Sequence, residues 1–284
     1  MRRPLPVILV TLVLGGLAAA ALTWLWFELN LGGAEPLTER PAAAPAPMPL
    51  AGPGDAVNRL ADLKSEKAGL RVLFVGNSHT FMHDVPGLTT KLAEAAKVER
   101  PLLAYPEAPG GTSFKMHWEG GRVQQLLRDV KWDLVVLQDQ SVMPNYSKSQ
   151  RDTETLPFAR KLAEAARESG AKPVLFMTWG YADEYPETLT RAKAAYQALA
   201  ADLKTDVVPV GAAWEQALAK RADLTLWSGD GNHADIRGSY LAACCFFAAF
   251  YGQSPVGNSF TAGLDVDEAR FLQEAAAAVV KPKK

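Results

Sequence analysis

The sequence predicts an α/β domain in which helices cover both faces of a five-stranded, mostly parallel sheet, giving a three-layer α/β/α sandwich. Two observations lead to this fold class. Short apolar runs alternate along the chain with longer amphipathic stretches, which is the pattern of βα units. The chain also has 284 residues, 48% of them hydrophobic, which is enough for one large core. We expect this domain to span residues 56–284.

The N-terminus predicts a transmembrane signal anchor over residues 1–30. Arg2 and Arg3 precede an uncharged stretch from Leu5 to Phe27. As a helix rising about 1.5 Å per residue, this stretch is long enough to cross a bilayer core of about 30 Å. The arginines favour a cytoplasmic N-terminus, which places the domain outside the cytoplasm, in the periplasm or at the cell surface. The alternative is a cleaved signal peptide, which would leave a secreted protein.

Residues 31–55 predict a linker between this anchor and the domain. Alanine, proline and glycine dominate the segment, as in Pro41-Ala42-Ala43-Ala44-Pro45. Such a composition cannot bury a core, and its prolines favour extended conformations. The segment is therefore expected to act as a tether.

Past the linker, each strand and helix is predicted from its own hydrophobic pattern. Short apolar runs predict five strands: Arg71–Val75, Leu102–Tyr105, Leu134–Leu137, Val174–Met177 and Val207–Val210. Amphipathic stretches between them predict four helices: Pro86–Lys97, Gly120–Val130, Ser149–Ser169 and Pro186–Leu203. Three more helices are predicted after the last strand: Ala212–Arg221, Ile236–Tyr251 and Val266–Val279.

Charge and cysteine content argue against nucleic-acid binding and against a disulfide-stabilised fold. The formal net charge is −1, so no basic excess points to nucleic acid. The two cysteines, Cys244 and Cys245, are adjacent in a buried-helix pattern where neighbouring side chains diverge, which predicts no structural disulfide. Nothing in the sequence implies an obligate protein partner.

Polar residues that could carry chemistry cluster where predicted strands end. Loops at the carboxyl edge of a parallel sheet converge, and ligands bind there. Four such segments stand out along the chain: Gly76-Asn77-Ser78-His79, Pro109-Gly110-Gly111-Thr112-Ser113, Gln138-Asp139-Gln140-Ser141 and Ser228-Gly229-Asp230-Gly231-Asn232-His233.

At these four blocks the chain resembles the SGNH hydrolases, also called GDSL-like esterases and lipases, over roughly residues 70 to 250. The resemblance implies an SGNH or flavodoxin-like sheet and a catalytic triad. Ser78 stands at the position of the nucleophile, and Asp230 and His233 match the acid and base of the Asp-x-x-His block. The backbone N–H groups of Ser78 and Gly111, or alternatively Gly110, match oxyanion donors.

Two blocks depart from the family pattern. Gly-Asn-Ser stands where Gly-Asp-Ser is usual, and the third block lacks the Gly-x-Asn-Asp sequence whose asparagine amide is an oxyanion donor. Gln140 falls on the asparagine position and offers the same amide one methylene further out. Gln138 is the alternative donor.

Five residues are candidates for substrate binding. They flank the nucleophile or follow other strands: Asn77, His79, Gln138, Trp179 and Tyr181. His79 and His83 have a spacing that could present two imidazoles to a metal, but no HExxH carboxylate accompanies them, and we expect neither metal nor cofactor. His117 is either a surface residue or part of the substrate rim.

The sequence therefore predicts a membrane-tethered serine esterase that acts through an acyl-enzyme. Its expected substrate is a small-molecule or carbohydrate ester, with deacetylation of cell-envelope or extracellular carbohydrate as the favoured reaction. An O-acyltransferase could use the same triad. A third interpretation is a catalytically silent binding module, motivated by the irregular third block.

Overall fold

A five-stranded parallel sheet lies at the centre of the computed structural model, which describes Leu63 and residues 68–280. The strands are β1 (Leu70–Val75), β2 (Leu102–Glu107), β3 (Leu134–Leu137), β4 (Lys172–Phe176) and β5 (Asp206–Val208). They are ordered β2-β1-β3-β4-β5, and every neighbouring pair is parallel. This is the flavodoxin-like order, in which ligands bind at the switch point between β1 and β3. The predicted fold class is confirmed for this part of the chain.

Helices cover both faces of the sheet. They are α1 (Ser78–Phe81), α2 (Val85–Ala95), α3 (Phe114–Gly120), α4 (Arg122–Asp129), α5 (Leu156–Glu168), α6 (Glu187–Leu203), α7 (Val210–Lys220), α8 (Ile236–Tyr251) and α9 (Val266–Val279). Shorter helical turns occur at Met82–Asp84, Met143–Asn145 and Lys148–Gln150.

The core is divided into two layers by the sheet. Because side chains alternate along a strand, Val72 and Phe74 of β1 face one layer while Leu73 and Val75 face the other. Residues of α2, α7, α8 and α9 fill the first layer, and residues of α3, α4, α5 and α6 fill the second. Both cysteines lie buried in α8 as free thiols.

Three elements differ from the sequence-based expectation. The strand predicted over Val207–Val210 ends at Val208, because Pro209 cannot donate to the sheet and Val210 already begins α7. Helix α3 was not predicted; Ser113 caps it by accepting the Met116 N–H. The helix predicted over Ser149–Ser169 contains a π-helical turn at Arg151–Thr155, just before Pro157, whose ring nitrogen has no N–H to continue the α-helical ladder.

The predicted anchor (1–30) and linker (31–55) lie outside the described residues, as does most of the segment from residue 56 to residue 67. The domain boundaries therefore stay predictions. Among the helices formed by Leu63 and residues 68–280, none combines the length and apolar character needed to cross a bilayer.

Candidate active site

Ser78 lies directly after β1, at the first residue of α1. Asn77 caps this short helix, since its Oδ1 accepts the His79 N–H at 3.2 Å. Position 76 requires glycine, because a Cβ there would lie 2.4 Å from Thr80 Oγ1 and 2.6 Å from Gln138 Oε1. This tight turn leaves the Ser78 side chain partly exposed at the carboxyl edge of the sheet.

His233 and Asp230 belong to one compact loop. The loop runs between Trp227 and Ala234, which form an isolated antiparallel bridge. Inside it, the Ser228 N–H donates to the His233 carbonyl at 2.8 Å. Its backbone therefore sets the relative positions of His233 and Asp230 just before α8 begins.

The same loop is docked on the segment that follows β4. Trp227 Nε1 donates to the Gly180 carbonyl at 2.9 Å, and the Ala182 N–H donates to the Gly231 carbonyl at 2.9 Å. Gly231 has a φ of +67°, a conformation that favours glycine. These contacts hold the loop over the edge of the sheet where Ser78 lies.

Ser78, His233 and Asp230 form a continuous chain of hydrogen bonds. His233 Nε2 lies 2.8 Å from Ser78 Oγ, and His233 Nδ1 lies 2.5 Å from Asp230 Oδ2. The structure thus brings together the three residues predicted for the triad, with the imidazole between the hydroxyl and the carboxylate. This is the arrangement in which a histidine can take the serine proton while a carboxylate holds its other nitrogen.

The environment of Asp230 keeps its carboxyl group ionised. The hydrogen bond from His233 is the main cause that holds the pKa of Asp230 well below its usual range, and donors on Asn232 and Ser228 add to it. Asp230 Oδ1 accepts the N–H groups of Asn232 and His233 at 2.9 Å and the Ser228 hydroxyl at 2.7 Å. An ionised Oδ2 requires the proton on His233 Nδ1, which leaves the Nε2 lone pair facing the Ser78 hydroxyl.

Candidate donors for an oxyanion come from three neighbouring segments, which follow β1, β2 and β3. Within the described residues, the backbone N–H groups of Ser78 and Gly111 have no protein acceptor. Gly111 is exposed at a loop tip, with a φ of +69°. Gln140 Nε2 donates to the Gly111 carbonyl, and the Tyr146 hydroxyl donates to Gln140 Oε1 at 3.4 Å. An amide nitrogen carries two hydrogens, so Gln140 keeps one donor for a ligand.

Comparison with known proteins gives structural matches only. No family model matches the chain, and no curated protein does either. A candidate SGNH hydrolase from Slackia heliotrinireducens is 28% identical, with a TM-score of 0.52, over 64% of this chain and 99% of that one. The similarity to this structure therefore covers the fold in addition to the sequence.

The fold and the four blocks are those of a divergent SGNH-like protein.

Two further structures share this fold. A DUF4886 family protein from Bacteroides uniformis is 20% identical, with a TM-score of 0.61, over 73% of this chain and 93% of that one. The acetyl xylan esterase AlAXEase is 14% identical, with a TM-score of 0.50, over 63% of this chain and 98% of that one. At these identities the likeness is one of fold.

Four of the five residues predicted to bind substrate are buried, which corrects that prediction. Asn77, His79, Gln138 and Trp179 are each at most 3% exposed. Trp179 stacks on Trp214 with ring centroids 4.3 Å apart, and its Nε1 donates to the Asn232 carbonyl. These side chains support the site from beneath.

Tyr181 is the one member of that group that stays partly exposed. Its hydroxyl donates to Ser141 Oγ at 3.0 Å, so it links the segment after β4 to the third block. A role in substrate contact stays a prediction for Tyr181.

Gln138 does not have the free donor that its predicted alternative role in the oxyanion site requires. Both hydrogens of its Nε2 are engaged, one with Asn77 Oδ1 at 2.9 Å and one with the Asp139 carbonyl. With its donors used and its side chain fully buried, Gln138 has none left for a substrate oxygen. Gln140 is the side chain with a spare N–H.

The remaining histidines have separate structural partners. His117 is buried, and its Nε2 donates to the Gly76 carbonyl at 2.7 Å, so it is neither a surface residue nor part of a rim. His83 Nδ1 lies 3.1 Å from Ser239 Oγ, whereas the His79 ring packs on Trp179. Among the described residues, no group of three or more His, Cys, Asp or Glu side chains is arranged to hold a metal.

Asp139 is a site residue that the sequence analysis did not single out. Its Oδ1 accepts the N–H groups of Phe114 and Gln140, both at 2.9 Å, so it joins the start of α3 to the third block. Burial raises its pKa to about 6, against the opposing effect of these donors. A carboxylate directly after a buried strand was the available signal, but Gln140 beside it matched the family pattern better.

Acid stability should depend on His79. Burial, and after it the charge of nearby His233, lowers the pKa of His79 to about 3, from 6.5 in a model peptide. The unfolded chain therefore takes up this proton near pH 6.5 while the folded protein does not. Stability that is fully present above pH 6.5 is lost progressively as the pH falls toward 3.

Replacing the His79 imidazole with a side chain that does not titrate should reduce this loss of stability in acid. Below pH 6.5, the free energy of unfolding of His79→Phe should increase relative to that of wild type by about 1.4 kcal/mol for each unit by which the pH falls. Urea unfolding between pH 7 and pH 4 measures this difference. Asp139, whose raised pKa has the opposite effect, is present in both proteins and cancels. Parallel pH curves for the two proteins would contradict a neutral His79.

Proposed function

We propose that this protein is a serine esterase that cleaves carboxylic esters through an acyl-enzyme on Ser78. The observation that carries the proposal is the hydrogen-bond chain from Ser78 Oγ through His233 to Asp230, with distances of 2.8 and 2.5 Å. The N–H groups of Ser78 and Gly111, which have no acceptor among the described residues, support it together with the spare N–H of Gln140, because acyl transfer needs donors for the developing oxyanion.

The reaction would proceed in two acyl transfers. Ser78 Oγ attacks the ester carbonyl as His233 Nε2 takes its proton, and the backbone and Gln140 donors bind the resulting oxyanion. Collapse of the intermediate breaks the bond to the alcohol, which leaves with the proton from His233. Water then attacks the acyl-enzyme, gives a proton to His233, and releases the acid with Ser78 restored.

We also propose acetylated carbohydrate outside the cytoplasm as the substrate class. The apolar stretch from Leu5 to Phe27 and the arginines before it support export with a membrane tether. The substrate class is the one implied by the family resemblance. Degradation of the domain by protease added to intact cells or spheroplasts would test the location, and protection of the domain would contradict it.

The test of the enzymatic proposal uses the purified full-length chain in detergent. Short-chain aryl esters and acetylated glycans are assayed for acid release, with sugar acceptors added to detect acyl transfer. A fluorophosphonate should label Ser78, as read by peptide mass spectrometry, and Ser78→Ala should abolish labelling. Equal trace activity of both proteins on every ester, with no labelling, would overturn the proposal and favour a binding module.

Gln140 should matter for the rate more than for substrate affinity. We expect Gln140→Ala to lower kcat by about 100-fold or more with a smaller change in KM, because its N–H binds the oxygen most strongly once that oxygen is charged. The matched control is Gln253→Ala, an exposed glutamine that should behave as wild type. If Gln140→Ala keeps the wild-type kcat, the third donor comes from elsewhere.

A further inference from the structure

Beneath the candidate triad, two buried amide side chains face each other. Asn77 and Gln138 are at most 2% exposed and lie 61 positions apart in the chain. Gln138 Nε2 donates to Asn77 Oδ1 at 2.9 Å, while Gln138 Oε1 accepts the backbone N–H of Asn77 at 2.9 Å. The two residues are thus joined by two hydrogen bonds running in opposite directions.

Neighbouring groups with only one possible role fix the orientation of both amides. Asn77 Nδ2 faces the carbonyls of Thr112, at 3.0 Å, and of Asp139, at 3.4 Å, which can only accept. Asn77 Oδ1 faces the His79 N–H, which can only donate. Gln138 Oε1 likewise faces the Asn77 N–H. Neither amide could be turned over without placing like groups against each other.

The pair connects the three segments that supply the oxyanion donors. Asn77 precedes the nucleophile, and its Nδ2 bonds tie that turn to Thr112, next to Gly111, and to Asp139, next to Gln140. Gln138 accepts the Thr80 hydroxyl at 3.0 Å, which holds α1 against the third block. Every predicted oxyanion donor is therefore within one residue of a group bonded to this pair.

Such contacts require amides at both positions. An aspartate in place of Asn77, the usual residue of the resembling family, would replace the NH₂ group with one oxygen that faces the carbonyl oxygens of Thr112 and Asp139. A glutamate in place of Gln138 would likewise face Asn77 Oδ1 and the Asp139 carbonyl with an acceptor. Buried acceptors that face each other without a hydrogen are strongly unfavourable.

We propose that Asn77 and Gln138 are matched positioning residues that set the geometry of the oxyanion site in place of the usual aspartate of the first block. This inference rests on the proposed function for its catalytic consequence. The two departures from the family pattern, in the first and third blocks, are then parts of one arrangement. Both residues are buried, so they act on the site through the groups to which they bond.

The variant Asn77→Asp tests the pair through its pH profile. We expect kcat near pH 8 to fall at least about 100-fold, with KM changed less than about threefold, because donor positions are disturbed. As the pH falls, the activity of the variant should recover relative to that of wild type, since the introduced carboxyl group, once protonated, can donate to the Thr112 or Asp139 carbonyl. Titratable neighbours, namely Asp139, His79, His117 and His233, are common to variant and wild type, so the profile is read as a ratio between the two proteins.

Two further variants separate positioning from packing. Gln138→Glu should show the same recovery in acid, whereas Asn77→Leu, of similar size and without a titratable group, should lose activity without recovery. Because the residues act as a unit, the double variant Asn77→Ala, Gln138→Ala should be no more than about threefold slower than the slower single variant.

Thermal melting keeps the test decisive if the acidic variants are poorly folded at neutral pH. The Tm of Asn77→Asp and Gln138→Glu should rise relative to wild type as the pH falls. Melting and rate profiles parallel to wild type would overturn the proposal, as would additive losses in the double variant. A wild type with no ester activity and no fluorophosphonate labelling would count against the proposed function, and the melting profiles would still decide on the pair.

Discussion

Replacing Ser78 with alanine should lower kcat for ester hydrolysis by at least about 10⁴-fold. The variant lacks the oxygen that forms the acyl-enzyme, and what activity remains would come from binding and the oxyanion donors alone. The fold should be unaffected, since Ser78 is partly exposed and its hydroxyl bonds only to His233 among the described residues. Initial rates with an aryl ester and the melting temperature measure these two quantities.

The control and the double variant sharpen this result. Ser254→Ala removes an exposed serine outside the four blocks and should behave as wild type. Adding His233→Ala to Ser78→Ala should cost no more than a few-fold further, because the base has no role without its nucleophile. Additive losses would show that the two residues do not act in one chain of proton transfer.

Replacing Asp230 with asparagine should lower kcat by about 10⁴-fold while leaving the loop intact. Asp230 Oδ1 accepts three hydrogen bonds, so an asparagine would place its oxygen there and its NH₂ group toward His233 Nδ1. That contact favours the tautomer with the proton on Nε2, which can no longer accept the Ser78 proton.

Asp183→Asn is the matched control, because Asp183 is an exposed aspartate of the neighbouring segment and should tolerate the change. Nitrogen-15 chemical shifts of the imidazole report the tautomer directly. An Asp230→Asn variant with wild-type rates would show that the carboxylate does not orient His233 during turnover.

The main parts of the fold and of the site were predictable because they depend on local patterns. Apolar runs locate strands, and strand ends of a parallel sheet converge, so Ser78 and His233 could be paired although 155 positions separate them. The Asp230 side chain lies three residues from His233 and bonds to it within one loop. Here local sequence and tertiary structure agree.

The errors came from side chains whose partners are distant in the chain. Trp179 follows a strand, a position that predicts a substrate contact, but Trp214 covers its face. Asn77 and Gln138 lie next to predicted site residues in the sequence, but both are buried and bonded to each other. No periodicity reports such a pairing, because it depends on how two loops meet.

The self-contained loop that holds Asp230 and His233 has a consequence for how activity appears during folding. The bond between these two residues spans three positions, whereas the bond from His233 to Ser78 spans 155. By loop-closure entropy alone, the longer contact costs about 3 to 4 kcal/mol more. The bond between Asp230 and His233 can therefore form early in folding, while the contact of His233 with Ser78 depends on the entire sheet. Under the proposed function, turnover would report completed tertiary structure.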